Sequence, residues 1–78
     1  MNSDRMYSVV VPLYNEEENA PILIEAIDHV LKNYQYELIL VDDFSTDRTV
    51  KVVKDMHHPH VVLIELMAIC KMILQISR

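Results

Sequence analysis

The sequence predicts an α/β protein, with three parallel strands joined by two helices in the order β-α-β-α-β. Three observations carry that expectation. Aliphatic and β-branched runs at residues 7–13, 38–41 and 61–66 have the composition of strands in a covered parallel sheet. Amphipathic stretches of helical spacing stand between them, and the first two runs end in polar, cap-forming residues. Successive right-handed crossovers give a strand order of 3-2-1, with both helices on one face and the other face bare.

The first run, Tyr7-Ser-Val-Val-Val-Pro-Leu13, reads as a buried strand whose Pro12 stands near its end, where a missing N–H matters least. Asn19 then suits an N-cap, and Pro21 is tolerated in a first helical turn. From Ala20 to about residue 33 the apolar residues Leu23, Ile27, Val30, Leu31 and Tyr34 recur at helical spacing, with Glu25, Asp28, His29 and Lys32 between them. The second strand is expected over residues 38–41. A second helix follows over about residues 48–56, capped by Ser45, Thr46 or Asp47 and burying Val50, Val53 and Met56. Pro59 closes the passage after it, and the third strand occupies residues 61–66.

A chain of 78 residues makes one small domain at most, and a domain of that size buries too little surface to be more than marginally stable. The formal charge of −5, with no basic patch, excludes nucleic acid as a partner. Cys70 is the only cysteine, so an internal disulfide is impossible and a reducing, cytoplasmic setting is expected. There is no signal-peptide pattern ahead of the first strand. Residues 67–78 are rich in bulky apolar side chains, yet Glu65 and Lys71 interrupt the run, which falls short of the ~20 residues of a membrane span. They are expected to form an atypical apolar helix or tail packed on the sheet, and what they leave uncovered favours self-association. Glycine is absent, so no glycine-rich phosphate loop exists.

The chemistry gathers where the second strand ends, in Leu38-Ile-Leu-Val-Asp-Asp-Phe-Ser-Thr-Asp47. In open α/β sheets the crevice beyond the C-terminal strand ends is where ligands bind. Asp42 and Asp43 are neighbours and point to opposite faces, so one of them at most faces a given ligand. A strand-end carboxylate accepts from a nucleobase N–H, and a tyrosine such as Tyr14 offers a flat face for stacking. Asp47 is read as a helix cap, and Asp43 has an alternative role in bonding the backbone of the Ser45-Thr46 turn.

Val9-Val-Val-Pro-Leu-Tyr-Asn-Glu-Glu-Glu-Asn19, followed by Glu37-Leu-Ile-Leu-Val-Asp-Asp-Phe-Ser-Thr-Asp47, resembles the start of a family 2 glycosyltransferase of the GT-A, Rossmann-like fold. The branch it resembles contains the dolichyl-phosphate mannosyltransferases and bacterial polyprenyl-phosphate sugar transferases. The resemblance covers residues 7–66 and implies the nucleotide-binding part of a truncated domain. It implies a UDP- or GDP-sugar as ligand, with Pro12 and Tyr14 lining the base and ribose pocket, Glu16 beside the nucleotide, Asp42 bonded to the base and Asp43 close by. A full-length relative is expected to use Mg2+ or Mn2+ and a polyprenyl phosphate acceptor, at the cytoplasmic face of a membrane. This chain carries neither the Asp-x-Asp metal motif nor the catalytic segments, so no cofactor, metal ligand or catalytic residue is assigned to it. Phe44 also departs from the resemblance, standing where the family commonly has glycine or asparagine.

His57, His58 and His60 lie in the loop before the third strand, at the sheet end opposite Asp42, and read as solvated loop residues. A second functional reading is a non-enzymatic, receiver-like signalling module, which also carries an acidic pair at a strand end. A receiver has that pair on its first strand, whereas here a whole strand and helix precede it.

Overall fold

The computed structural model describes residues 5–66. Its elements are β1 (Met6–Leu13), α1 (Asn19–Leu31), β2 (Gln35–Asp42), α2 (Thr49–Met56) and β3 (Val61–Glu65). The sheet order is β1-β2-β3 and both pairings are parallel, which is the expected topology. Residues 67–78, with the expected apolar helix or tail, lie outside the described residues.

The period-2 alternation of β2 decides where the core sits. Tyr36, Leu38, Leu40 and Asp42 are buried, while Glu37, Ile39 and Val41 between them are only half-buried. Register puts Leu38 between Val9 and Val61, and Leu40 between Val11 and Leu63. Ala20 and Ile24 of α1 and Val53 of α2 close over this row with Leu13. Both helices therefore cover the same face, as the right-handed crossovers require. Burying each Leu or Ile contributes roughly 1.5–3 kcal/mol, so this single row supplies most of the apolar stabilisation. On the other face Val10, Val62 and Ile64 are exposed, and no described element covers them.

That one-sided cover corrects the expectation of a buried first strand. β1 is an edge strand, and Met6 and Val10 are 61% and 60% exposed. β2 is longer than its apolar run, because Gln35 and Tyr36 already pair with Met6 and Tyr7. In α1, Leu23, Ile27 and Leu31 pack against the core as expected, but Val30 and, past the helix end, Tyr34 are exposed and the fully buried positions are Ala20 and Ile24. Asn19 is the first helical residue rather than the cap. Its side-chain amide donates to Glu16 Oε1 at 3.1 Å, and Glu18 ahead of it makes no side-chain cap bond. In α2, Val53 and Thr49 are buried, while Val50 and Met56 are half-buried.

Candidate functional site

Leu13 and Asp42 are register partners, so β1 and β2 end side by side and the two loops leaving them start in contact. The Asp43 N–H extends the ladder by donating to the Leu13 carbonyl at 2.8 Å. Beyond that bond the chains diverge into the 14–18 and 43–48 loops, which are stitched together by side-chain oxygens. The Asn15 N–H donates to Ser45 Oγ at 2.9 Å, and the Glu16 N–H donates to Thr49 Oγ1 at 2.8 Å. The Glu17 N–H reaches Asp47 Oδ2 at 3.4 Å, while Glu17 Oε1 accepts from the Arg48 N–H at 3.0 Å.

Two residues take left-handed backbone to make this possible. Asn15 has φ of 51° and Phe44 has φ of 62°. A chain without glycine must place other residues in that region. Asparagine tolerates it well, but a phenylalanine there is strained. Phe44 thus occupies a backbone position that suits the glycine or asparagine expected from the family.

The backbone donors leading into α2 are taken from within the chain. From Ser45 to Thr49, consecutive N–H groups donate to Asp42 Oδ2, Asn15 Oδ1, Asn15 Oδ1 again, Glu17 Oε1 and Asp47 Oδ1. A helix start with free N–H groups attracts phosphate. At this one the donors as far as Thr49 are filled by carboxylate and amide oxygens. The cap position of α2 is Arg48, which makes no side-chain cap bond, and not Ser45, Thr46 or Asp47 as expected; Asp47, one residue earlier, accepts from both the N–H and the hydroxyl of Thr49. Partial burial pushes its pKa up, but the bonds from Thr49 and from the Glu17 N–H outweigh this and hold the carboxyl below its ordinary 3.8.

Asp42 is the unusual group. It is 1% exposed, one carboxylate oxygen accepts from the Ser45 N–H at 3.1 Å, and the other, Oδ1, is sealed from solvent with no partner. A buried acceptor without a donor costs about 1–3 kcal/mol, so its retention calls for an explanation beyond packing. Asp43 is exposed and its expected bond to the Ser45-Thr46 turn is made by Asp42 instead. The two carboxylates do diverge, as strand geometry demands.

The family model described as Glycosyl transferase family 2 matches residues 8–67, which include both strand-end loops. The chain belongs to that family. A dolichol-phosphate mannosyltransferase of Pyrococcus furiosus is 50% identical over 42 residues, 54% of this chain and 12% of that protein. An undecaprenyl-phosphate 4-deoxy-4-formamido-L-arabinose transferase of Photorhabdus laumondii is 49% identical over 47 residues, covering 58% of this chain and 14% of that protein. A mouse dolichyl-phosphate beta-glucosyltransferase is 44% identical over 55 residues, covering 62% and 17%. This chain therefore spans less than a fifth of the length of these relatives.

Within this family 2 chain, the residues singled out in the sequence fall at one pole of the sheet but not in one pocket. Pro12 and Glu16 line a shallow cavity of about 230 Å³ between β1 and the start of α1, with Val11, Leu13, Asn19, Ala20 and Leu23. Tyr14 is 58% exposed beside it, Asp43 is exposed, and Asp42 lies buried. Sequence reasoning missed Asn15, Ser45 and Thr49, the residues that bind the two loops together. The absence of glycine was the available signal: asparagine directly after a strand is the natural bearer of a positive φ.

The histidine loop is not simply solvated. His58 Nε2 lies 3.5 Å from Asp28 Oδ1, and His60 stacks on the Tyr36 ring at 4.5 Å between centroids. Tyr36 donates its hydroxyl to Asp28 Oδ1 at 2.5 Å. That bond, reinforced by the nearby histidines and Lys32 against a smaller desolvation effect, holds the Asp28 carboxyl below its ordinary range. Burial, with the Asp28 bond added to it, pushes the Tyr36 hydroxyl up to about 12. Among the described residues, no set of three histidine, cysteine or acidic side chains converges as ligands for a metal ion.

Proposed function

We propose that the 12–16 and 42–43 segments hold the base and ribose of a UDP- or GDP-sugar, as the nucleotide-binding part of a transferase that delivers the sugar to a polyprenyl phosphate or another acceptor. The supporting observation is the buried, unpartnered Oδ1 of Asp42, a strong acceptor at the ligand-binding end of a parallel sheet. A base N–H offsets its missing bond, and because that oxygen is sealed, side chains around it must shift to admit the base. Tyr14 supplies a stacking face, Pro12 a rigid wall, and Glu16 and Asp43 flank the ribose. The names of the polyprenyl-phosphate relatives support the acceptor class.

The divalent ion that the family resemblance implies does not fit the described residues, since no ligand set converges there. The N–H groups from Ser45 to Thr49 are likewise already bonded within the chain. Binding should therefore rest on the nucleoside alone, with Kd near the millimolar range, about 4 kcal/mol. Titrating UDP and GDP against labelled chain by NMR tests this. Shifts at residues 12–16 and 42–45, lost in Asp42→Ala, are expected; shifts confined to residues 57–60 would overturn the reading, and the tighter nucleotide identifies the base. The chain alone is expected to transfer no sugar, because acceptor positioning and leaving-group stabilisation need further residues. Among the described residues no helix is long and apolar enough to cross a membrane. We place the site on the cytoplasmic side, with the bare face of Val10, Val62 and Ile64 favouring self-association.

A further inference from the structure

We infer that Asn15 is the positioning residue of the nucleoside site, fixing the β2–α2 loop so that Asp42 presents its free oxygen; this rests on the nucleotide-binding reading above. Three observations converge on it. Asn15 alone contacts three successive residues of the other loop, through its N–H to Ser45 Oγ at 2.9 Å and its carboxamide oxygen to the Thr46 and Asp47 N–H groups at 2.8 and 3.3 Å. The Thr46 hydroxyl also faces that oxygen, at 3.4 Å. The partners lie about thirty residues away in sequence, so these bonds join the loops rather than shape one of them.

Ser45 is the link to Asp42. Its N–H holds Asp42 Oδ2, while its hydroxyl accepts from the Asn15 N–H. Ser45 is buried, so this relay is shielded from water. With Oδ2 fixed, the carboxylate cannot rotate freely, and Oδ1 is left as the one oxygen for a ligand. The backbone requirement is separate from the carboxamide. At φ of 51° glycine is tolerated at that position, an aspartate keeps a side-chain acceptor, and an alanine satisfies neither need.

Those differences define the experiment. In the 78-residue chain, Asn15→Gly keeps the backbone and removes the carboxamide, while Asn15→Asp retains an acceptor at the same place. Uridine and guanosine, free of phosphate, are titrated by NMR, and amide exchange is followed in the same samples. Asn15→Gly is expected to weaken nucleoside binding about tenfold, with Asn15→Asp within about threefold of the parent. In Asn15→Gly the Thr46 and Asp47 amides should exchange about tenfold faster while β2 amides keep their protection. Full nucleoside affinity in Asn15→Gly would overturn the positioning role even if the Thr46 and Asp47 amides loosen. If the parent binds neither nucleoside, the nucleotide reading fails, and the positioning of Asp42 for a nucleoside fails with it. Faster Thr46 and Asp47 exchange would then still establish the loop clamp, whereas unchanged exchange would remove that as well.

Discussion

The two ends of this small sheet are both closed by polar networks, and they differ in what they leave unsatisfied. At the N-terminal end Tyr36, Asp28, His58 and His60 partner one another through side chains from α1, β2 and the loop before β3. The buried Tyr36 hydroxyl has its acceptor, and His60 Nδ1 lies 3.1 Å from the Tyr36 carbonyl. At the C-terminal end, side chains serve the backbone of a neighbouring loop, and the buried Asp42 keeps one oxygen with no donor. Satisfied networks specify structure, whereas a buried group left unpaired points to a ligand or to stored strain. The same chain therefore has a satisfied pole and one that we propose to be functional.

The comparison breaks most sharply at Thr49, which is fully buried and both accepts from the Glu16 N–H and donates to Asp47. Thr49→Val keeps the shape and strands both partners, so a loss of about 2–3 kcal/mol is expected in urea unfolding. A loss below that of Tyr36→Phe would mean that the loop clamp contributes little and that the functional pole is held by β1–β2 pairing alone.

Tyr36→Phe comes next, at about 1 kcal/mol, because one hydrogen bond to a partly exposed carboxylate is removed while the ring packing stays. Its signature is in the pH dependence. The hydroxyl titrates at 10 in the unfolded chain and at about 12 in the folded one. The raised value means that its contribution is complete below pH 10 and disappears as pH rises to about 12. The parent should lose stability across that window and Tyr36→Phe should not, as followed by circular dichroism. Asp28 and Asp47 act in the other direction. Both are held below 3.8, so what they contribute is present above that pH and is lost as the solution becomes more acidic.

How much of this was legible in the sequence follows from the range of the interactions. Element order, strand pairing and the common face of the helices follow from periodicity and crossover handedness, and they stand as expected. Boundaries moved where a non-local partner intervened: Tyr36 lies outside the aliphatic run and joins β2 because Tyr7 pairs with it. The motif residues Asp42 and Asp47 were visible because carboxylates at a strand end and a helix start have local reasons to be there. The clamp made by Asn15, Ser45 and Thr49 was not, since the partners that join the two loops are about thirty residues apart in sequence. The histidines were misjudged for the same reason: their loop is local, but Asp28 and Tyr36 are brought to it by the fold.

Phe44 sharpens the comparison in the opposite direction, since it marks strain rather than support at the functional pole. Its φ is 62°, and the residue is 37% exposed, so strain and partial cover of the ring oppose each other there. Phe44→Gly relieves the left-handed penalty of about 1–2 kcal/mol but frees the unfolded chain, so a net gain of about 0.5 kcal/mol is expected. A loss on chemical denaturation would show that the ring contributes packing that outweighs its strain.

The smallest effect belongs to the exposed ion pairs, which lie in neither network and so set the baseline for both. Lys54 Nζ meets Glu65 Oε2 at 3.0 Å, joining α2 to β3, but the two side chains are 60% and 41% exposed. Lys51 and Asp55, one helical turn apart on α2, are more exposed still. Water and salt screen such charges, and holding two long side chains together offsets much of the attraction, so each pair contributes about 0–0.5 kcal/mol. Lys54→Ala should therefore shift the unfolding midpoint barely at all, and less in 0.5 M salt, where the Debye length falls well below the ~10 Å of 0.1 M salt. A larger, salt-resistant loss would have a definite meaning. It would show that Lys54 holds β3 against α2 through the packing of its aliphatic stem as well as its charge. In that case β3, the shortest strand of the sheet, would depend on α2 as much as on β2, and the division into two poles would need a third anchor along its side.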